Sequence, residues 1–263
     1  MSAKANDDLL LVVDVGNTNA VFGLFAGAEL RRDFRVSTEA FRTADEYGAL
    51  LLPLIQAGGL EANAVSAVMV SSVVPTVNRH LSGLARRYFG VEAMFVEPGL
   101  ETGMEIDYDN PAEVGADRIV NAVAAREALG APVIAVDFGT ATTFDVVSLS
   151  GTYIGGVIAP GLGISAEALF SRASRLYKVD VRPPARVLGR NTSEAMQAGL
   201  YYGYVGLVDG ILERLLADLP SPCPVIATGG QAQMIADGSK HIGQVDSTLT
   251  LHGLRLICER NHS

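Results

Sequence analysis

The sequence predicts an α/β protein made of two similar domains with a cleft between them, and two observations lead to this prediction. One is an internal repeat, because residues 12–22 and residues 135–145 share a pattern although they lie about half the chain apart. Each copy has an apolar, β-branched run, an aspartate, a glycine two residues later, hydroxyl or amide side chains, and a second apolar run. The other observation is that the elements predicted after each copy repeat the order β-β-β-α-β-α, which indicates a repeated domain.

The first half of the chain has the predicted order β-β-β-α-β-α-β. Apolar runs bounded by glycines predict strands at 9–14, 20–25 and 29–36. Large apolar side chains at helical spacing predict a helix over 43–57, with Thr43 at its start and Gly58 after its end. The remaining predicted elements of this half are a buried strand at 65–74, a helix at 81–89 and a short strand at 93–96.

A helix is predicted to begin within 109–118 and to run to about residue 129, before the second copy of the repeat. The strand order of the first half then starts again. The predicted strands that follow are 133–137, 144–148, 152–158 and 224–228. Arg182, Pro183 and Pro184 mark a loop between them.

The longest predicted helix covers residues 191–219 and carries glycines on one face. These are Gly199, Gly203, Gly206 and Gly210. Each glycine destabilises a helix interior by roughly 1 kcal/mol relative to alanine, so we expect the face to serve close approach of another helix. A kinked or poorly formed helix is the alternative. Three tyrosines on other faces suit a subunit interface, namely Tyr201, Tyr202 and Tyr204.

The composition excludes several classes of partner. The 263 residues are 49% hydrophobic and 19% charged, and the net charge is −9. This acidity argues against a nucleic-acid or membrane surface, and it means that an anionic nucleotide would need a divalent metal. Cys223 and Cys258 have no metal or redox spacing, and the apolar run 9–13 is too short for a signal or a membrane span. We therefore expect a cytoplasmic protein with no nucleic-acid or membrane partner.

The repeated strand–turn–strand segment is the main functional signal. Its glycine lets backbone N–H groups approach a ligand, its Asn and Thr side chains add neutral donors, and its aspartate can hold a hydrated cation. Two such turns would suit a nucleotide–metal complex. A single turn of this kind is most often a plain hairpin, so the recurrence is what favours the functional interpretation. The chain has no G-x-x-x-x-G-K-[ST] motif, so a P-loop is not predicted.

Three further segments are candidates for chemistry. Asp117 and Arg118 at a helix start suit a general base beside an anion-binding cation, or else a helix cap with a surface charge. Residues 155–161 form a Gly/Pro-rich turn that could close over a ligand, or a simple turn. Residues 228–230, Thr-Gly-Gly between a strand and a helix, suit an adenosine.

Together these motifs resemble a known superfamily. D-V-G-N-T at 14–18, D-F-G-T-A-T-T at 137–143 and T-G-G at 228–230 are similar to motifs of acetate kinase, sugar kinases, heat-shock ATPases and actin. A finer set is similar to type III pantothenate kinases, in the family's order: Y-D-N-P-x-x-V-G-A-D-R (108–118), G-G-x-I-x-P-G (155–161), R-N-T (190–192), T-G-G-x-A (228–232) and L-T-L-x-G-L (249–254). The resemblance implies two ribonuclease-H-like, actin-like ATPase-fold domains, residues 1–117 and 118–263, with a nucleotide cleft between them.

The resemblance also implies a reaction and the residues that perform it. The reaction is ATP-dependent phosphorylation of pantothenate to 4'-phosphopantothenate, the first step of coenzyme A biosynthesis, in a homodimer. Asp117 would be the general base. The ATP-binding residues would be Asp14, Val15, Gly16, Asn17, Thr18, Asn19, Ala20, Val21 and Thr140. The substrate-binding residues would be Tyr108, Gly115, Ala116, Asp117, Arg118 and Thr192.

Two cations belong to the same expectation. Asp14 would hold Mg²⁺ through water, and Asp137 would hold the monovalent cation, K⁺ or NH₄⁺. Phosphoryl transfer through a loose transition state requires alignment and charge neutralisation, which two donor-rich turns and two cations supply without a lysine in either turn.

Two alternative functions are weighed against this one. A sugar kinase or heat-shock-type ATPase is disfavoured because such proteins are generally longer. It is also disfavoured because the motifs that accompany G-A-D-R in this chain are not those of such proteins. A non-enzymatic regulator of gene expression is disfavoured by the intact aspartates Asp14, Asp117 and Asp137. The acidic charge also argues against direct DNA binding.

Overall fold

The structure is a computed structural model that describes residues 8–172 and 176–262. Its strands are β1 (Leu9–Val15), β2 (Asn19–Ala26), β3 (Glu29–Ser37), β4 (Val65–Ser72), β5 (Ala93–Phe95), β6 (Val133–Phe138), β7 (Ala141–Val147), β8 (Tyr153–Pro160), β9 (Val225–Gly229) and β10 (Gln244–Val245). Its α-helices are α1 (Ala44–Ala57), α2 (Pro75–Leu84), α3 (Ala116–Leu129), α4 (Leu162–Arg172), α5 (Thr192–Ala217), α6 (Ala232–Ala236) and α7 (Leu249–Asn261). None of the helices in these described ranges is both long enough and apolar enough to cross a membrane.

The described residues divide into two compact units, which we call unit 1 and unit 2. Unit 1 comprises residues 8–103, 110–120 and 250–262, and unit 2 comprises residues 104–109 and 121–249. The predicted boundary between residues 117 and 118 lies within α3, in which the chain passes from unit 1 to unit 2 after Val120. The C-terminal helix belongs almost wholly to unit 1. The boundary and the nucleotide cleft stay predictions.

Unit 1 is built on a five-stranded mixed sheet with the order β3-β2-β1-β4-β5. β1 pairs antiparallel with β2 and parallel with β4, so its last residues lie between two neighbouring strands. One sheet face packs against α1 and α2, through buried side chains that include Val13, Phe22 and Leu51. On the other face, Gly23 lies close to Leu251 of α7. The sheet is therefore covered on both faces.

Helix α1 begins where the sequence predicts, because its first residues form a capping box. Thr43 accepts a hydrogen bond from the backbone N–H of Glu46, and the Glu46 carboxylate accepts one from the backbone N–H of Thr43. This reciprocal pair satisfies backbone donors that a helix start leaves open. The apolar side chains Tyr47, Leu51 and Ile55 then lie on the face that is buried against the sheet.

Unit 2 repeats the plan with the sheet order β10-β9-β6-β7-β8. β6 pairs antiparallel with β7 and parallel with β9, as β1 does with β2 and β4. Apolar side chains of β6 and β7, including Val136 and Phe144, pack against the inner face of α5. The predicted fold class, α/β with two similar domains, is confirmed by these two matching sheets.

Most predicted elements are confirmed, and the exceptions have physical causes. The helix predicted at 81–89 begins instead at Pro75, where a proline in the first turn loses no helical hydrogen bond. It continues into a π-helical turn over Ala85–Phe89. The segment 155–161 is mostly strand rather than turn, because residues up to Pro160 pair with β7.

The tyrosines of α5 correct a further prediction. Tyr201 and Tyr204 are only 6% and 4% exposed and pack inside unit 2, whereas Tyr202 is 41% exposed. Two of the three therefore do not serve a subunit interface. The glycine face of α5 is the outer face, since a methyl group built on Gly199, Gly203 or Gly206 would meet no atom within 4 Å. Within the described residues, no helix packs in close contact on these three glycines.

Candidate active site

The turn between β1 and β2 in unit 1 carries most of the predicted ATP-binding residues. Asn17 and Thr18 are exposed at its tip, whereas Val15 and Ala20 are fully buried and can offer a ligand only their backbone. The turn is closed by a hydrogen bond from the Gly16 N–H to the carbonyl oxygen of Asn19 at 3.0 Å. The result is a short, fixed loop that presents neutral donors to solvent.

Thr38 holds this turn from outside, and sequence reasoning missed it. Its backbone N–H donates to the carbonyl oxygen of Thr18 at 2.9 Å, and its hydroxyl donates to the carbonyl oxygen of Gly16 at 2.7 Å. Both bonds depend on the pairing of β2 with β3, which sets Asn19 opposite Ser37. No motif marks a residue whose role comes from strand register, so no local signal could have found it.

Asp14 lies at the end of β1 with a hydroxyl beside it. In the parallel pairing of β1 with β4, Asp14 is the register partner of Ser71. Ser71 is fully buried, and its hydroxyl has no hydrogen-bond partner among the described residues. A carboxylate next to a buried hydroxyl without a partner fits a hydrated divalent cation, because hard cations prefer oxygen ligands and Mg²⁺ keeps several waters.

Asp117 lies in the first turn of α3, also in unit 1. Its carboxylate accepts a hydrogen bond from the backbone N–H of Arg118 at 2.9 Å. Burial raises the pKa of the Asp117 carboxyl above its usual range, while that hydrogen bond and the charge of Arg118 act in the opposite direction. A carboxylate with a raised pKa accepts a proton more readily near neutral pH, so this environment favours the general-base interpretation over a helix cap with a surface charge.

The residues next to Asp117 pack closely around its carboxylate. A methyl group on Gly115 would lie 2.6 Å from Asp117 Oδ1, so only glycine leaves the carboxylate its position. Arg118 is only 6% exposed, so it is not the surface charge that the alternative interpretation requires. The predicted segment Gly115–Arg118 is therefore a compact group with a carboxylate and a cation on consecutive residues.

The turn between β6 and β7 in unit 2 repeats the first one. Gly139 and Thr140 are exposed at its tip, and the Gly139 N–H donates to the carbonyl oxygen of Ala141 at 3.0 Å. Asp137 precedes it, as Asp14 precedes the first turn. Thr228 and Gly229 of the T-G-G motif lie beside Asp137 and Phe138 in the parallel pairing of β9 with β6. The candidate adenosine segment thus adjoins the second turn.

Two oxygens near Gly229 form a candidate cradle for the monovalent cation. Gly229 has a φ of +94°, and a methyl group there would lie 2.6 Å from the carbonyl oxygen of Phe138 and 2.7 Å from Asp137 Oδ1. Only a residue without a side chain leaves this space open. A carboxylate and a carbonyl oxygen around an open space fit a hard cation. The described residues contain no cluster of three His, Cys, Asp or Glu side chains, so any cation here would need water or ligand oxygens as well.

Asn121 orients Asp137 and was also missed by sequence reasoning. It is 1% exposed, and its side-chain amide donates to Asp137 Oδ2 at 3.1 Å. A signal for it does exist in the sequence, because Asn121 follows Asp117 by one helical turn and interrupts an apolar run. The other carboxylate oxygen of Asp137, Oδ1, is the one that bounds the space near Gly229.

Two predicted substrate-binding residues lie in unit 2. Tyr108 packs against Tyr153 with ring centroids 6.4 Å apart, and its loop bonds to β8 through Asp107 and the carbonyl oxygen of Tyr153. Thr192 begins α5 and is exposed at a cavity of about 790 Å³ that Ser165 and Arg190 also line. Asp117 and its neighbours belong to unit 1, so the predicted substrate residues are divided between the units.

The two α/β units share one plan, in which an aspartate and a glycine turn join the first two strands of each unit. The fold is similar to that of component A of (R)-2-hydroxyglutaryl-CoA dehydratase from Acidaminococcus fermentans, with a TM-score of 0.55 at 13% identity over 95% of both chains. At this identity the likeness concerns the fold alone.

The sequence comparisons identify the family. The sequence model of the type III pantothenate kinases matches residues 10–214. The chain is 52% identical over 265 residues to the type III pantothenate kinase of Koribacter versatilis, covering 97% of both chains. It is 56% identical over 255 residues to that of Myxococcus xanthus, covering 97% of this chain and 100% of the relative. The chain belongs to the type III pantothenate kinase family.

The electrostatics of Asp117 predict an unusual effect on stability. Asp117→Asn is expected to raise the free energy of unfolding at neutral pH. Burial raises the pKa of the Asp117 carboxyl in the folded state above the ordinary value of 3.8. Stability is therefore lost as the pH rises from the unfolded-state pKa through the higher folded-state pKa, because the carboxyl ionises more readily in the unfolded chain. The advantage of the asparagine variant should therefore shrink as the pH falls. Urea unfolding at neutral pH and at about pH 4 measures the difference.

Asp45→Asn is the matched control with the opposite sign. A hydrogen bond from Arg87 lowers the pKa of Asp45, so the loss of that carboxylate is expected to lower stability at neutral pH. An Asp117→Asn variant that is less stable than the parent at neutral pH would contradict the assignment and support a role as a helix cap.

Proposed function

We propose that this protein transfers the γ-phosphoryl group of ATP to the primary hydroxyl of pantothenate, giving 4'-phosphopantothenate and ADP. The observation that carries the proposal is the Gly115–Arg118 segment, in which a partly buried carboxylate with a raised pKa precedes a buried arginine. Membership in the type III pantothenate kinase family supports it. This reaction opens coenzyme A synthesis.

The proposed chemistry uses Asp117 as the base. Its carboxylate accepts the proton of the substrate hydroxyl while the hydroxyl oxygen forms a bond to the γ-phosphorus. The bond from that phosphorus to the β–γ bridging oxygen breaks, and ADP leaves with the electron pair. Proton acceptance comes late, since the transition state of phosphoryl transfer is loose. Arg118 is the proposed partner of the substrate carboxylate, with Tyr108, Gly115, Ala116 and Thr192 as further contacts.

The nucleotide is assigned to the two turns. Asp14 to Val21 of the first turn and Thr140 of the second are the proposed ATP-binding residues, with backbone N–H groups and hydroxyls as donors. Asp14 is proposed to hold Mg²⁺ through water, and Asp137, oriented by Asn121, to hold K⁺ or NH₄⁺. When bound, these cations neutralise phosphate charge that a chain of net charge −9 would otherwise repel.

We also propose that the active form is a homodimer. The outer face of α5 combines exposed glycines with Tyr202, and other exposed apolar side chains of unit 2 include Ile164 and Leu188, at 46% and 79%. Exposed apolar residues of this kind are typical of protein interfaces. A cytoplasmic location belongs to the same proposal, in keeping with Cys223 and Cys258, which form no disulfide.

Asp117→Asn tests the catalytic assignment. The amide cannot accept a proton, so kcat is expected to fall by about 10²–10⁴-fold, a range typical of the loss of a general base. Nucleotide binding should persist, because Asp117 is not among the proposed ATP-binding residues. ADP release in a coupled assay, with and without pantothenate, measures the rate, and nucleotide binding is titrated separately. Turnover close to that of the parent would assign the base to another residue.

Asp137→Ala tests the monovalent cation. We expect it to remove the stimulation by K⁺ rather than to scale the rate at all K⁺ concentrations, because the carboxylate at the cradle is lost. Rates in K⁺ and in Na⁺ buffer at equal ionic strength measure this. Asn121→Ala is the control, since it keeps the carboxylate and should retain a K⁺ response that saturates at higher concentration. A K⁺ response in Asp137→Ala equal to that of the parent would refute the cation assignment.

Gly203→Leu tests the dimer. A side chain at this position meets no atom of its own chain within 4 Å, so the monomer should tolerate it. If a second copy packs closely on this face, the variant should shift toward monomer and lose activity, since overpacking destabilises an interface. Sedimentation at equal protein concentration measures the shift, with Glu127→Leu on α3 as the control for an added surface leucine. A parent protein that is monomeric at micromolar concentration would refute the proposal.

A further inference from the structure

Tyr204 makes polar contacts that the proposed reaction does not use. It lies on the inner face of α5 and is 4% exposed. Its hydroxyl donates to the carbonyl oxygen of Pro160 at 3.2 Å and is hydrogen-bonded to the hydroxyl of Thr142. Burial raises the pKa of the Tyr204 phenol, so it stays neutral and remains a donor. A tyrosine at this place was predicted to face a partner subunit, and it instead faces the inside of unit 2.

The two partners of Tyr204 flank the second turn. Thr142 follows the turn in β7, directly after Ala141. Pro160 ends β8, and the N–H of the next residue, Gly161, donates to the carbonyl oxygen of Thr140 at 3.1 Å. A methyl group on Gly161 would lie 2.2 Å from that oxygen, so the two backbones are in very close contact. A shift of Pro160 would therefore move Thr140.

The ring of Tyr204 also contacts the residue that precedes the second turn. It packs against Phe138, with ring centroids 6.5 Å apart and planes tilted by 55°. Phe138 is the residue directly before Gly139. One side chain thus contacts the residue before the turn, the strand after it and the segment that bonds to its tip. Gly139 and Thr140 themselves are exposed.

We propose that Tyr204 is a positioning residue for the nucleotide, which fixes the Gly139–Thr140 turn in the conformation that receives the phosphates of ATP. The inference rests on the proposed function, because it takes the second turn to be part of the ATP site. Donors in such a site must be held to within about 0.5 Å by the residues behind them. Tyr204 touches neither ATP nor pantothenate in this proposal and acts only through the turn.

Tyr204→Phe is the direct test. It removes the hydroxyl and keeps the ring against Phe138. We expect the KM for ATP to rise by about twenty-fold, which corresponds to the loss of two neutral hydrogen bonds, to Pro160 and to Thr142, and the KM for pantothenate to stay within about two-fold. Thr142→Val removes only the bond between the two hydroxyls and should give a smaller rise, of about five-fold. The double variant should be no worse than Tyr204→Phe, because that variant already lacks the same bond.

Tyr201→Phe is the matched control. Tyr201 is buried on the same helix, but its hydroxyl contacts the carbonyl oxygen of Met234 at 3.5 Å and neither Thr142 nor Pro160. Its loss should leave both KM values unchanged. An equal rise in the KM for ATP in the Tyr201 and Tyr204 variants would overturn the proposal, because it would indicate general loosening of α5. A lower thermal midpoint with an unchanged KM for ATP in Tyr204→Phe would also overturn it.

Thr140→Val separates this inference from the function on which it rests. If Thr140→Val leaves the KM for ATP unchanged, the second turn is not part of the ATP site, and the nucleotide assignment fails. If Thr140→Val raises the KM for ATP and Tyr204→Phe does not, the assignment stands and the positioning role is refuted. Should Tyr204→Phe fail to fold, the same comparison is made with Thr142→Val.

Discussion

Close contact of backbone with backbone and with carboxylate oxygens is the constraint on which the candidate site depends. At Gly161 the neighbouring strand segment approaches the second turn so closely that no Cβ fits, and at Gly229 the space for a Cβ is bounded by Phe138 and Asp137. Gly115 leaves the same freedom to Asp117. At all three positions a side chain would occupy the space beside a carbonyl or carboxylate oxygen, so these close contacts require glycine.

Charge is the second determinant of the site. The chain is acidic, and neither of the two turns carries a lysine. Backbone N–H groups and hydroxyls can orient phosphate oxygens, but they carry no net positive charge to offset theirs. Cations are therefore the natural complement of these turns, and Asp14 and Asp137 are the residues proposed to hold them. Burial of Asp117 contributes in a different way, because it holds a carboxylate in a state that accepts a proton readily.

The limits of the sequence follow from which interactions are local. The strand–turn–strand segments, the capped start of α1 and the Gly115–Arg118 group are encoded by neighbouring residues, and each was predictable. Thr38, Ser71 and Tyr204 depend on strand register or on packing between elements distant in the chain, which no local pattern records. The tyrosines of α5 were assigned to the wrong surroundings for this reason. Helical spacing shows which residues share a face of a helix, but it does not show which face is buried.

Helix α5 carries adjacent residues with opposite surroundings. Gly203 is open to solvent, while Tyr204, its direct neighbour, reaches into the sheet below the second turn. A substitution at one of these positions leaves the surroundings of the other intact. Under the two proposals made above, one face of α5 serves self-association and the other serves affinity for the nucleotide. Two adjacent codons would then control these two properties, and a substitution at one codon would need no compensating change at the other.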